Sequence, residues 1–335
     1  MNSAFSDEKK SLNIESNKFE NISTEGVGQL AKDALWVSGD FFRGVVVKSK
    51  VIDFARLLKA NGIRYVYIFA GPFKVNGSLP FFAYSNSAKE VVRLLISEYP
   101  ELVILPWIGG LQNKSVFLEK EDWVRHAVES ISLLVGSLGV PGVHTDFELI
   151  LPDSKYVLEE RKIPTVKFDI NQFGRLLVDF HLRLKNKLPN IFVSTVVGST
   201  SHGVKLWKWQ PEFDEIADLC KYTNQIALMF YDTKIKNKKD YEESLIEQLK
   251  HVRNWKESNC NASTDFLLGV GTFENSKPLD AYRDLKIENL ENHFLTLKKI
   301  RKNMKGDSAF FDGNAIYANW TTDESEWETI RILRN

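Results

Sequence analysis

The sequence predicts an α/β protein built as a single eight-stranded (β/α)8 barrel. Short apolar segments alternate with longer amphipathic segments from residue 35 to residue 333. The short segments are rich in Val, Ile and Phe throughout, as strands buried on both faces of a parallel sheet are. No linker or change in composition interrupts the alternation, which favours one barrel over two doubly wound domains.

Eight segments have the length and composition of buried strands. The first covers residues 35–37, with the run 44–47 as an alternative, and the second covers 65–69. The other six are predicted at 102–105, 142–147, 191–196, 225–230, 266–270 and 314–318. Eight parallel strands are the number that closes a barrel of this class.

Amphipathic segments between the strands predict helices. They cover residues 51–60, 88–99, 122–138, 171–188, 213–222, 240–257 and 287–303, with a last helix at 324–333. The fourth of them is the clearest, because Phe173, Leu177, Phe180 and Leu184 fall on one face. In the resulting barrel, catalytic groups are expected at the carboxyl ends of the strands and in the loops that follow them.

Composition places the chain among globular proteins. Its 335 residues are 43% hydrophobic and 26% charged, which is enough material for a sizeable core. The 44 basic residues balance the 44 acidic ones, so no net field attracts nucleic acid. No apolar run reaches the roughly 18 residues of a membrane span. We therefore expect no nucleic-acid partner and no membrane-spanning segment.

The ends of the chain and its cysteines give weaker information. Residues 1–26 are polar and predict a flexible segment ahead of a catalytic domain at 27–335, with no apolar export signal in view. Cys220 and Cys260 are too few for a disulfide framework, and one bridge or two free thiols remain equally open. No histidine spacing indicates a metal site and no glycine motif indicates a dinucleotide, so we expect neither metal nor cofactor.

The passage PGVHTDFE at residues 141–148 carries the strongest functional signal. Asp146 and Glu148 stand two residues apart where the fourth predicted strand ends, so their side chains share a face, with His144 one layer below. Ionisable groups stacked in this way are costly to desolvate unless they are paired or functional. For an isolated Asp-x-Glu pair, a loop position with a capped turn is the more common explanation.

A second passage, QIALMFYD at residues 225–232, changes that balance. It ends the sixth predicted strand with Met229, Tyr231 and Asp232. Together the two passages resemble glycoside hydrolase family 18, the family of chitinases and endo-β-N-acetylglucosaminidases. That family ends its fourth strand with Asp-Gly-x-Asp-x-Asp-x-Glu and its sixth with Met-x-Tyr-Asp.

The match is complete in the second motif and partial in the first. In the first motif Gly142, Asp146 and Glu148 agree, whereas Pro141 and His144 replace the first two aspartates. In the family the second of these aspartates exchanges hydrogen bonds and charge with the third. His144 can still hydrogen-bond Asp146, and a protonated His144 would favour the ionised form of Asp146.

The resemblance extends to aromatic positions that would bind sugar. Trp320, in the passage AIYANW, matches the tryptophan that floors the family's central sugar site, and Trp107 in WIGG is a weaker match. Further predicted substrate-binding residues are Met229, His144, Trp207 and Trp209, while Phe147 and Phe230 are better explained by core packing.

The resemblance implies a retaining glycosidase that cleaves β-linked N-acetylglucosamine-containing glycans with help from the substrate's own acetamido group. Glu148 would act as acid and base, and Asp146 would orient the acetamido group. Tyr231 would donate its hydroxyl to the acetamido oxygen, and Asp232 would bind sugar hydroxyls or assist Glu148. Chitin, peptidoglycan and the N-glycan core are all open as substrates.

Two other readings compete with this one. The first is a catalytically weak or inactive glycan-binding protein on the same barrel, in which Pro141 and His144 have lowered or abolished turnover. The presence of Glu148 argues against it. The second is a barrel hydrolase acting on another sugar. We expect a monomer with a polysaccharide partner, located outside the cytoplasm because such polymers lie there.

Overall fold

Eight parallel strands form a closed barrel in chain order in the computed structural model. The structure describes residues 32–149, 169–199, 211–258, 260, 263–273, 283–303 and 311–333. The first strand pairs with the second on one side and with the eighth on the other, which closes the sheet. The predicted single (β/α)8 architecture, a TIM barrel, is therefore confirmed. The predicted polar segment 1–26 lies outside the described residues.

The strands agree with the predicted ones in number, order and position. They are β1 (Ala34–Val37), β2 (Tyr65–Pro72), β3 (Val103–Leu111), β4 (Gly142–Glu148), β5 (Phe192–Gly198), β6 (Gln225–Met229), β7 (Asp265–Gly271) and β8 (Gly313–Tyr317). The alternative first strand at 44–47 is wrong, because these residues form a loop in which the Val45 side chain is 92% exposed.

Within the described ranges the helices also follow the prediction, with one addition. They are α1 (Asp40–Arg43), α2 (Lys48–Ala60), α3 (Asn86–Glu98), α4 (Glu121–Leu138), α5 (Phe173–Lys187), α6 (Phe213–Leu219), α7 (Lys238–Ser258), α8 (Leu290–Asn303) and α9 (Glu324–Leu333). The short α1 was not predicted, since four residues are too few to show a helical period. Short 3₁₀ helices cover Phe81–Tyr84, Ile170–Gln172 and Cys220–Tyr222.

Local chemistry explains where two of the helices begin and end. Ser85 caps α3 by accepting a hydrogen bond from the Ala88 N–H at 3.1 Å. Gly139 ends α4 in the left-handed conformation, at φ 66°, which costs glycine little because it lacks a Cβ. β4 begins three residues later, so this stop directs the chain into the strand that carries the acidic pair.

Two apolar layers hold the barrel together. Inward side chains fill its interior, among them Trp36, Tyr67, Leu105 and Ala315. Outward side chains pack beneath the helices, and Phe147 and Phe230 belong to this second layer at 2% and 1% exposure. Core packing, predicted for both phenylalanines, is confirmed. None of the helices described has the length and apolarity needed to cross a membrane.

A disulfide bond joins the segments that precede β6 and β7. Cys220 in the third 3₁₀ helix is bonded to Cys260, which follows α7. Both segments lie at the amino ends of the strands, opposite the face where active sites of such barrels are found. The bridge therefore supports the fold, and it settles the pairing that the sequence left open.

Candidate active site

The end of β4 places Asp146 and Glu148 at the mouth of the barrel. Both side chains are half-buried, and the strand spacing puts them on one face. The indole N–H of Trp107, on the neighbouring strand β3, donates a hydrogen bond to Asp146 Oδ2 at 2.9 Å. Asp146 Oδ1 is buried and has no hydrogen-bond partner among the described residues. This oxygen therefore lacks the hydrogen bond that would offset its burial.

The environment of Asp146 favours its protonated form. Burial raises the pKa of the Asp146 carboxyl well above its usual value, and the negative charge of Glu148 raises it further. The hydrogen bond from Trp107 acts in the opposite direction and is the smallest of these effects. The negative charge of Glu148 therefore opposes ionisation of Asp146.

Glycine at position 109 lets β3 approach β4 beside this pair. A Cβ atom built on Gly109 would collide with the backbone carbonyl of Asp146. Gly109 is paired with Asp146 in the strand register, so any side chain there would push the two strands apart. The close approach of β3 and β4 thus explains the first glycine of the WIGG passage, which was only a weak match in the sequence.

Tyr231, two residues past β6, lies at the same mouth of the barrel, and we call the space between Asp146, Glu148, Tyr231 and Tyr317 the pocket. Its ring stacks on Tyr317, with the ring centres 5.3 Å apart, and meets Phe273 edge-on at 5.6 Å. Burial raises the pKa of Tyr231 well above its usual value, and the charges of Asp146 and Glu148 add to the effect. The hydroxyl therefore remains a hydrogen-bond donor throughout the physiological pH range.

Tyr317 is the central residue that sequence reasoning missed. It is the last residue of β8, and its ring lies 6.4 Å from Trp107, 5.7 Å from Trp36 and 5.3 Å from Trp320. Burial raises its pKa, and the charges of Asp146 and Glu148 raise it further. Alternation along β8 was a usable signal, because Tyr317 shares the inward face with Ala315.

The predicted floor residue Trp320 is displaced toward the rim. It lies in the turn beyond β8, three residues past Tyr317, and its side chain is 46% exposed. A floor position requires the inward face of the strand itself, which Tyr317 occupies. Trp320 lies edge-on beside Tyr317, and its sugar contact stays a prediction.

Asp232 is held by an arginine that no motif marked. Arg283, in the segment before α8, donates from Nε to Asp232 Oδ1 at 2.6 Å, and its side chain is only 4% exposed. The guanidinium also lies over the Phe273 ring, 3.4 Å from its centre. Burial raises the pKa of Asp232 and Arg283 opposes that shift. The sugar contact of Asp232 stays a prediction.

His144 lies beneath the pocket and not in it. Its ring is fully buried, stacks on Tyr67 at 3.7 Å, and bonds through Nδ1 to Ser194 Oγ at 2.8 Å. Burial lowers the pKa of His144 well below its usual value, so the ring is neutral. No hydrogen bond joins His144 to Asp146: His144 Nε2, like Asp146 Oδ1, is buried without a hydrogen-bond partner among the described residues. This burial argues against the direct sugar contact predicted for His144.

The remaining predicted residues divide into two groups. Met229 ends β6 and packs, half-buried, against both apolar layers. Trp107 lies at the pocket, where its indole N–H donates to Asp146. Trp207 and Trp209 lie outside the described residues. Among the residues that are described, no three His, Cys, Asp or Glu side chains come together as metal ligands would.

Comparison with known proteins places the fold. No family model and no curated protein matches the sequence. Solved structures do match. The spore cortex-lytic enzyme SleL of Bacillus cereus superposes with a TM-score of 0.56 at 12% identity, covering 91% of this chain and 75% of that one.

Two further structures agree with it. A chitinase of Bacteroides thetaiotaomicron has a TM-score of 0.56 at 13% identity and covers 91% of this chain and 95% of its own. A glycoside hydrolase family 18 N-acetylglucosaminidase of Paenibacillus barengoltzii has a TM-score of 0.56 at 12% identity, covering 90% and 98%. The chain therefore has the fold of glycoside hydrolase family 18 enzymes.

Proposed function

We propose that this barrel is a glycoside hydrolase of the family 18 type that cleaves β-linked N-acetylglucosamine-containing glycans. One chain of contacts carries the proposal: Asp146 bonds Trp107, Trp107 meets Tyr317, and Tyr317 stacks on Tyr231. Residues from β3, β4, β6 and β8 thus converge on one pocket at the end of the barrel where catalysis is expected.

Glu148 is the acid of the proposed reaction. It protonates the glycosidic oxygen, the bond from that oxygen to the anomeric carbon breaks, and the leaving sugar departs with a hydroxyl group. In the second step Glu148, now ionised, takes a proton from the incoming water. Glu148 is thereby protonated again at the end of each turnover.

The substrate supplies the nucleophile. Its acetamido oxygen attacks the anomeric carbon and forms an oxazolinium ion, which water opens from the opposite side, so configuration is retained. The orphaned Oδ1 of Asp146 accepts the acetamido N–H, and the Tyr231 hydroxyl donates to the acetamido oxygen. Both contacts strengthen as charge develops on the acetamido group. They therefore lower the free energy of the reaction's transition state relative to that of the bound substrate.

The similar structures and the disulfide support parts of this proposal. The matched proteins are named as a chitinase, an N-acetylglucosaminidase and a spore cortex-lytic enzyme. Disulfides persist in oxidising compartments, so the Cys220–Cys260 bond favours the expected location outside the cytoplasm.

A glycan-binding protein is the second candidate, and His144 is the observation that favours it. The neutral, buried ring forms no hydrogen bond with Asp146, so Asp146 lacks the charged neighbour that the family motif places there. Binding needs only the aromatic pocket, whereas turnover needs Asp146 and Glu148 to exchange protons in the right order.

The substitution Glu148→Gln separates the two candidates. For an enzyme, we expect loss of hydrolysis by about 100- to 10,000-fold, because the amide cannot protonate the leaving oxygen. Binding of a chitin oligosaccharide, measured by calorimetry, should change little because Gln keeps the shape of Glu. Glu129→Gln, an exposed position on α4, is the matched control and should keep full activity.

Several outcomes would contradict the hydrolase proposal. Undiminished turnover in Glu148→Gln would remove Glu148 as the acid. An unmutated protein that binds but cleaves no chitin, peptidoglycan or N-glycan substrate would favour the binding protein. Equal cleavage of substrates with and without a 2-acetamido group would remove the substrate-assisted mechanism.

A further inference from the structure

Arg43 reaches the mouth of the barrel although no motif marks it. α1 follows β1 directly, so its loop opens on the face that carries the acidic pair. The guanidinium carbon of Arg43 lies 5.3 Å from the centre of the Phe69 ring and 4.6 Å from that of Phe82. Two aromatic rings therefore hold this cation on the β1 side of the mouth.

Phe69 connects the cation to the catalytic pocket. It stands on the inward face of β2, two residues beyond the interior residue Tyr67, and its ring meets Trp107 edge-on at 4.8 Å. Trp107 in turn donates its hydrogen bond to Asp146. The rings of Phe69 and Trp107 thus separate Arg43 from the Asp146 carboxyl, which favours contact with a sugar next to the cleaved one.

The charge of Arg43 is not neutralised within the described residues. Its side chain is exposed, and no described carboxylate lies within 4.0 Å of the guanidinium. An aromatic ring attracts a guanidinium without using its N–H groups in an ion pair, so those donors remain for a ligand. Their fork geometry matches a carboxylate, which can accept two parallel hydrogen bonds.

An exposed aromatic residue precedes one of the two rings that hold this cation. Phe81, next to Phe82 in the first 3₁₀ helix, is 82% exposed. A phenyl ring covers the C–H face of a pyranose well, and the burial of that face is favourable. An exposed ring one residue away from the ring that contacts the Arg43 guanidinium fits a sugar that carries a carboxylate.

We propose that Arg43 and Phe81 form a subsite for a carboxylate-bearing sugar adjacent to the cleaved N-acetylglucosamine unit. The inference rests on the proposed function, because it places the subsite along the same glycan. A lactyl ether, as in peptidoglycan, and a uronic acid, as in hyaluronan, both supply such a carboxylate. Neutral chitin supplies none, so the subsite selects among the substrates that the catalytic pocket admits.

Calorimetric binding in the Glu148→Gln background tests this subsite without turnover. The probes are a peptide-free peptidoglycan strand, the same strand with its carboxylates amidated, a hyaluronan oligosaccharide and a chitin oligosaccharide. We expect the free-carboxylate strand to bind about five- to ten-fold more tightly than the amidated strand, and the preference to weaken with added salt. A preference for hyaluronan alone would identify the carboxylate as a uronate.

Arginine variants assign that preference to a residue. Arg43→Gln should lower the ratio of the two affinities to about one, and Arg43→Lys should retain part of it, because it keeps the charge but loses the fork. Arg301→Gln is the matched control: this exposed arginine also lies over one ring, 5.4 Å from the centre of Phe311, but at the opposite end of the barrel. It should leave the ratio unchanged.

The results separate this inference from the proposed function. Equal binding of free and amidated strands, or an equal effect of Arg43→Gln and Arg301→Gln, would overturn the subsite even if chitin is hydrolysed. An Arg43-dependent preference in a protein that cleaves no glycan would keep the subsite and overturn the hydrolase. Failure to bind any of the four probes would overturn both.

Discussion

At the residue scale, Asp146 determines how the pocket responds to pH. Burial and the neighbouring Glu148 both raise its pKa, so it keeps a proton at pH values where an exposed aspartate has lost it. A protonated Asp146 can donate to Glu148 or to a ligand, and an ionised one accepts from the acetamido N–H. A protonated Asp146 therefore stands beside Glu148, the acid of the proposed reaction.

We expect Asp146→Asn to stabilise the protein at neutral pH. The folded-state pKa of Asp146 lies above the unfolded value, so this residue costs no stability below about pH 4 and an increasing amount as pH rises. The variant removes that cost. Urea unfolding between pH 4 and pH 8 should show a difference in unfolding free energy that grows with pH and levels off once Asp146 ionises in the folded state.

Asp122→Asn is the control, since Asp122 is an exposed residue in the first turn of α4. A stability difference for Asp146→Asn that is the same at every pH would mean that the pKa of Asp146 is not raised in the folded protein. Activity should fall in the same variant, because Asn cannot take part in proton exchange with Glu148.

At this scale the sequence identified some residues and not others. Motif and strand alternation placed Asp146, Glu148 and Tyr231 at or just beyond strand ends, where the structure also has them. Arg283 was not, because its role depends on an ion pair with Asp232 across 51 residues. Tyr317 was missed for a different reason: only the observed end of β8 separates it from Trp320.

At the element scale, the loop after β6 is shaped by the segment before α8. Asp232 and Lys234 both adopt left-handed backbone conformations, at φ 56° and 61°, which are unfavourable for residues with a Cβ. Between them, the Thr233 N–H and hydroxyl donate to the buried carboxylate of Glu288, the hydroxyl at 2.6 Å. Arg283 and Glu288 together therefore brace the turn that presents Tyr231 to the pocket.

We expect Glu288→Gln to stabilise the fold as pH rises. Burial raises the pKa of Glu288 from 4.5 to about 7, so the ionised side chain costs stability from about pH 4.5 upward and the full cost is reached above pH 7. The shift corresponds to at most about 3 kcal/mol, and Gln still accepts from Thr233 through its amide oxygen. Chemical denaturation across this pH range measures the gain.

Glu291→Gln provides the comparison, because Glu291 is exposed in the first turn of α8. If Glu288→Gln instead destabilises the protein equally at all pH values, the carboxylate is needed as such for the turn, and its raised pKa is not the dominant effect. Glu288→Ala should destabilise under all conditions, since it leaves the Thr233 donors buried without an acceptor.

At the scale of the whole molecule, the barrel separates stability from chemistry. The reactive groups lie at the carboxyl ends of the strands, while the Cys220–Cys260 bond and the ion pair between Lys32 and Asp265 lie at the amino ends. The bond links residues 40 positions apart in sequence, so it restricts a long loop of the unfolded chain.

We expect the double substitution Cys220→Ala with Cys260→Ala to lower the free energy of unfolding by about 2 to 4 kcal/mol. Catalytic rate should not change, because both cysteines lie at the end of the barrel away from the pocket. Urea unfolding with and without a reducing agent measures the effect. A reductant should destabilise the unmutated protein and leave the double variant unaffected; equal stability of the two proteins under oxidising conditions would argue against the bond.

The amino-acid pattern was sufficient for the architecture and for the acidic pair, because both depend on short-range periodicity. Apolar strands, amphipathic helices and two carboxylates two residues apart on a strand are visible within a few residues of chain. Four features could be seen only in the folded molecule. They are the burial of a neutral His144, the ion pair between Arg283 and Asp232, the position of Tyr317 and the pairing of the cysteines. Each depends on side chains distant in sequence, and the closed barrel alone brings these together.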